Sequence, residues 1–284
     1  MNRRHFVLNV ICPDRTGIVA ELSGFVSAQG GWVDEADFFT DDASGKFFAR
    51  LAVRTEGLEF EAFKDAFGQS VAEDMEWRMT DTAVAKKSVI LVTREGHCLH
   101  DLLGRVRSGD YPMDVQCVIG NHEDLRPIAE AYVLPFHFVP FPKDAVGKRE
   151  AFDKVAAIVD PIEPDAIVLA KFMQILPPDL CEKWAGRAIN IHHSFLPSFM
   201  GARPYHQAYT RGVKQIGATC HYATTDLDDG PIIEQDVIRV NHKYTPDDLR
   251  RIGRDAETLV LARGLRWHLE DRVMVYGNRT VIFN

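Results

Sequence analysis

Asn190 and His192 close the apolar run "AINIH", residues 188–192, and the chain continues as "HSFLPSF". Alternate residues of a strand share a face, so the amide and the imidazole emerge side by side. An asparagine amide donates to an oxygen that gains negative charge, and a histidine exchanges a proton near neutral pH. A polar strand end that only caps a loop would use the same two residues, so their spacing leaves both readings open. A second group is "TTDLDDG", residues 224–230, with three carboxylates around Leu227 on a turn between two apolar runs. One of them could hold a histidine in its cationic form and orient a water. A solvated hairpin turn has the same composition.

Two histidine pairs have metal-ligand character, His97-x-x-His100 and His192–His193. Neither is supported by a C-x-x-C or H-E-x-x-H pattern. Strand alternation also sends His193 to the face opposite His192. The expectation is that the site holds no metal.

The elements that must position these groups follow from periodicity. "SVILVT" (88–93) is an apolar, β-branched run of the kind a strand buried on both faces shows, and "MDVQCVIGN" (113–121), "PFHFVPF" (135–141), "DAIVLAK" (165–171) and the apolar "AINIH" follow it along the chain. Helical patterns separate several of them, among them "CLHDLLGRVRSG" and "KREAFDKVAAIVDPI". That alternation implies βαβ crossovers and an open, mostly parallel α/β sheet, whose strand carboxyl ends form the crevice where ligands bind. "GATCHYA" and "PIIEQDVIRV" are two more strands, joined by "TTDLDDG". A long helix starts near residue 246, with Thr245 as N-cap and Pro246 as its first residue.

The first 80 residues have another rhythm. Strand, helix, strand, hairpin turn "ASGK", strand, helix and strand give βαββαβ, the ferredoxin-like order. The small polar stretch "DTAVAKK" (81–87) marks the boundary, giving a first domain over 1–82 and a second over 88–284.

With 284 residues the chain can bury two cores, and its formal net charge of -8 excludes a broad nucleic-acid-binding surface. No run approaches the ~20 apolar residues of a membrane span. The N-terminal apolar run is shorter than a signal peptide requires. Five cysteines at wide spacing, with no C-x-x-C, read as reduced thiols in a cytoplasmic protein.

"HHSFLPSF", "GARPYHQAY", "IGATCHY", "LDDGPII" and "VYGNRTVIF" together resemble the formyltetrahydrofolate deformylases, which share the folate-dependent formyltransferase fold with glycinamide ribonucleotide formyltransferase. The resemblance covers essentially the whole chain. "CPDRTGIVAELSGFVSAQGGWV" is similar to an ACT domain, a small amino-acid-sensing unit.

The resemblance implies a catalytic trio of Asn190, His192 and Asp228, with Asp226 and Asp229 flanking the matched aspartate. It implies a folate pocket made by Phe172, Met173, Ile175 and Leu176 with Thr224, Thr225, Asp226 and Leu227. As an apolar cluster, the first four could equally be core. The implied reaction is hydrolysis of 10-formyltetrahydrofolate to formate, which serves purine synthesis and the one-carbon folate pool, with no cofactor.

A departure from the family points the same way. The transferase has a glycine- and serine-rich loop that cradles the acceptor's phosphate, whereas this chain has "TREGHC", residues 93–98. Water becomes the favoured acceptor, and transfer to an unidentified amine is the alternative. The ACT resemblance implies a homo-oligomer, with a tetramer as the family expectation. It also implies an effector, methionine or glycine, near Asp14, Gly17 and Ile18.

Overall fold

The computed structural model describes residues 4–54, 56–198 and 204–284. Phe199 of the Leu-Pro-Ser-Phe turn and Gly201 to Arg203 of "GARPYHQAY" lie outside them. The chain divides into two compact units.

The first unit comprises residues up to Ala85 together with Glu270–Met274 and Val281–Asn284. Its elements are β1 (His5–Pro13), α1 (Ile18–Ala28), β2 (Trp32–Asp41), β3 (Lys46–Arg54), α2 (Phe60–Ser70) and β4 (Glu76–Asp81). The strands form an antiparallel sheet in the order β2-β3-β1-β4. Phe6, Leu8 and Val10 of β1 pack against Ile18, Leu22 and Val26 of α1 and Phe63 and Phe67 of α2. These residues recur every second place on the strand and every third or fourth on the helices, so each element turns one apolar face to a shared core.

The expected second domain ran to residue 284, but the C-terminal segments belong to the first unit. Asp271, only 3% exposed, pairs with Arg78 and accepts a hydrogen bond from Thr80 Oγ1 at 2.6 Å. Asn9 Nδ2 donates to the Asp271 carbonyl at 2.9 Å. Such long-range polar anchoring leaves no local sequence pattern.

The second unit carries β5 (Lys86–Val92), α3 (His97–Arg107), β6 (Met113–Gly120), α4 (Arg126–Ala131), β7 (Phe136–Phe138), α5 (Ala145–Val159), β8 (Ala166–Ala170), α6 (Pro178–Lys183), β9 (Ala188–His192), α7 (Pro204–Arg211), β10 (Gln215–Tyr222), β11 (Ile232–Arg239) and α8 (Pro246–Leu269). Two short strands, β12 (Val273–Tyr276) and β13 (Arg279–Ile282), pair with each other. The seven-stranded sheet runs β11-β10-β9-β8-β5-β6-β7. β5 to β9 are parallel, and β10 and β11 are antiparallel additions at one side. Strand order reverses between β5 and β8, so a crevice opens beyond Val92 and Ala170. β5 and β8 are buried almost throughout, as parallel strands covered on both faces must be.

The N-cap of α8 is as expected. Asp248 N–H donates to Thr245 Oγ1 at 3.2 Å, and Thr245 N–H donates back to Asp248 Oδ2 at 3.0 Å. Helices α6 and α7 and the β12–β13 pair are additions to the elements read from the sequence.

Candidate active site

β9 is buried until it reaches the crevice, where its polar residues appear. Asn190 is half-buried and His192 is 5% exposed. Register places Asn190 directly opposite His221 on β10. His221 Nδ1–H donates to the Tyr222 carbonyl at 2.9 Å, because a carbonyl can only accept. That fixes the tautomer, so His221 Nε2 accepts from Asn190 Nδ2 at 3.1 Å. Burial lowers the pKa of His221, which keeps the ring in this neutral form. One amide N–H of Asn190 is thereby anchored and the other remains to donate elsewhere. His221 is a positioning residue that the sequence reading did not single out.

The 224–230 loop folds back onto this pair. Gly230 lies against the Tyr222 carbonyl so closely that any Cβ would collide with it. Asp228 occupies the left-handed region at φ 57°, which aspartate tolerates better than most residues. The turn brings Asp228 Oδ1 to 3.3 Å from His192 Nδ1. Burial pushes the Asp228 carboxyl up, but His192, with His221 and His193 behind it, holds it below the ordinary aspartate value. Asp228 is therefore ionised at neutral pH. His192 Nε2 is buried and has no hydrogen-bond partner among the described residues.

The chain after β9 is held by Thr219, which is fully buried on β10. Its hydroxyl donates to the Ser194 carbonyl at 2.9 Å and accepts from Leu196 N–H at 3.1 Å and Gln235 Nε2 at 2.9 Å.

His193 differs from expectation. β9 ends at His192, so strand alternation no longer applies to the next residue. The rings of His192 and His193 lie 5.1 Å apart, and both line one cavity. Burial, with Lys171 and His192 adding to it, pushes the His193 pKa down to about 4.

That cavity, about 420 Å³, gathers Asn190, His192 and Asp228 with every residue that the resemblance assigns to a folate pocket. Phe172 and Leu176 form its floor and belong equally to the core, where Phe172 meets Phe141 edge-on at 5.6 Å. Met173, Ile175 and Leu227 are 56%, 67% and 55% exposed and form an apolar rim.

His97 and His100 have different surroundings. His97 Nε2 is 2.7 Å from Glu257 Oε2, while His100 is exposed. Glu95, His97 and Glu257 bring ligand atoms within 4.8 Å of one another. Lys171 already stands 3.3 Å from Glu257 and 3.8 Å from Glu95, so the two carboxylates have a protein cation between them.

In the first unit, Gly17 caps α1 at φ 94° with open space where a side chain would project. Asp14 is exposed, and its N–H is taken by the Gly45 carbonyl at 2.8 Å. Ile18 departs from the effector expectation, because its side chain is 2% exposed and packs in the core.

Residues 86–265 match the formyl transferase family. A formyltetrahydrofolate deformylase of Bacillus subtilis (strain 168) is 45% identical over 281 residues, covering 98% of this chain and 93% of that protein. The crystal structure of a formyltetrahydrofolate deformylase from Pseudomonas syringae pv. tomato str. DC3000 superimposes with a TM-score of 0.96 at 51% identity, covering 100% of this chain and 96% of the other. A glycinamide ribonucleotide transformylase structure from Symbiobacterium toebii aligns with 73% of this chain and 98% of its own, with a TM-score of 0.66 and 27% identity. The chain belongs to the formyltetrahydrofolate deformylase family, within the formyl transferases.

Proposed function

We propose that the protein hydrolyses 10-formyltetrahydrofolate to formate and tetrahydrofolate. The observation that carries this reading is the convergence on one apolar-rimmed cavity of an ionised carboxylate, a histidine nitrogen without a partner and an anchored amide. Asp228 accepts a proton from water as the water oxygen bonds to the formyl carbon. Asn190 Nδ2–H donates to the oxygen that becomes negative. His192 faces Asp228 through Nδ1 and turns Nε2 toward the same oxyanion. The bond from N10 to the formyl carbon then breaks, N10 takes a proton relayed through His192, and formate leaves. None of these steps calls on a metal or redox cofactor. The test is formate release from 10-formyltetrahydrofolate with no amine added. A requirement for an amine acceptor would favour the transferase alternative.

The proposal extends to the first unit, read as an ACT-like module that joins copies of the chain into a homo-oligomer, with a tetramer as the expected state. Its βαββαβ order and the exposed edge strand β2, with Trp32, Phe38 and Phe39 61%, 40% and 46% exposed, support that reading. Methionine or glycine, bound near Asp14 and Gly17, is the proposed effector. The proposed setting is the cytoplasm, where the formate would serve purine synthesis. It is supported by five free, buried cysteines and by the fact that no helix among the described residues is long and apolar enough to cross a membrane.

A further inference from the structure

A second cavity, about 410 Å³, adjoins the first at the same strand-order reversal and shares Lys171, Met173 and His193 with it. It does no work in the hydrolysis derived above. Its chemistry is set by Glu95, which stands in the loop after β5. Glu95 Oε1 accepts from Arg250 at 2.9 Å and Arg254 at 3.0 Å, and Oε2 lies 3.8 Å from Lys171 Nζ. Among the described residues neither arginine comes within ion-pair distance of another carboxylate. Arg254 Nε is buried with no hydrogen-bond partner among them. Lys171 is held beside both cavities at φ 61°, in a region that residues with side chains seldom adopt. Burial would push the Glu95 carboxyl up, but Arg250, Arg254 and Lys171 keep it lowered and charged.

Two arginines converging on a cavity beside a reaction centre, with Lys171 shared between Glu95 and Glu257, form an anion-binding constellation. Here the anion is supplied by the chain itself. We infer that Glu95 is an acceptor-specificity residue, an internal anion that fills a cationic subsite next to the reaction cavity and excludes an anionic second substrate. Resting on the hydrolytic reading, this explains why water is left as the acceptor. Its tether to Arg250 and Arg254 also orders the loop after β5 against α8.

The experiment is calorimetric titration of inorganic phosphate into the wild-type protein, Glu95→Ala and Glu95→Gln, with Arg254→Ala added to each variant. Glu95→Gln keeps the side chain's shape and reads the charge alone should Glu95→Ala fold poorly. The freed guanidiniums should tighten phosphate binding by about tenfold or more in Glu95→Ala, and to a smaller degree in Glu95→Gln, since charge-assisted contacts pass to the added oxyanion. Arg254→Ala should abolish the gain. Equal phosphate affinity in the wild-type protein and both variants would overturn the inference, as would a gain that survives Arg254→Ala. Formate release by the wild-type protein is measured separately. Its absence would remove the hydrolytic reading while the titration still reports on the subsite.

Discussion

Asp228 Oδ1 and His192 Nδ1 stand 3.3 Å apart, although 36 positions separate them, and the contact is made by a loop that doubles back over β9. The carboxylate faces one ring nitrogen and leaves the other directed away from it. An acid–base pair for acyl chemistry needs this polarity, because the far nitrogen must meet the reacting group.

Asp228→Asn should lower the rate of formate release by ~10²-fold or more while folate binding persists, because the amide keeps the shape but accepts no proton. Asp226→Asn and Asp229→Asn are the comparison variants and should lose far less. Steady-state rates with a folate-binding titration separate these outcomes. Sensitivity at Asp226 instead of Asp228 would move the catalytic carboxylate.

His221 acts through Asn190. Asn190→Ala should lower kcat by ~10²-fold, the scale of a lost oxyanion donor. His221→Ala should lower kcat by about tenfold with little change in KM, since the amide stays but loses its anchor. The double variant should be no worse than Asn190→Ala alone, because residues that share one interaction are not additive. Additive losses would give His221 a role of its own.

Much of this site is legible in the sequence, and the missing parts share a cause. Asn190 and His192 show as polar residues at the end of a buried run, and "TTDLDDG" shows as an acidic turn. Both signals are local. His221 sits inside "GATCHYA", where a histidine looks like an ordinary buried residue, and only the register of β10 against β9 gives it a partner. Glu95, Lys171 and Glu257 are separate charges in the sequence and meet because β5, β8 and α8 converge. Strand alternation does not reach His193, because β9 ends one residue before it. The change of rhythm at residues 81–87 divides the chain into two domains, but nothing local places Asp271 against Arg78.

Glu257 should govern acid stability in the second unit. It is 1% exposed, and His97, Lys171 and Tyr205 overcome the effect of burial and bring its pKa down to about 2. A carboxyl lowered on folding stabilises above its unfolded value, and that stability is lost as pH falls toward the folded value. The shift corresponds to about 3 kcal/mol, present at neutral pH and lost between roughly pH 5 and 2. Denaturant melts should show Glu257→Gln less stable at pH 7, with the gap to the wild-type protein narrowing by pH 4. A gap that stays constant with pH would contradict the ion-pair account.

The exposed aromatic edge on β2 predicts self-association. Phe38→Lys with Phe39→Lys should shift the protein to a smaller species in light scattering after gel filtration, because charges on an edge strand oppose strand pairing. An unchanged mass would remove β2 from the interface.

The central claim is that water attacks the formyl carbon directly, and hydrolysis in oxygen-18 water tests it most directly. Mass spectrometry should find one heavy oxygen in the released formate, with no label in the protein after a single turnover. Label in the Asp228 carboxylate, or formate without label, would contradict the account.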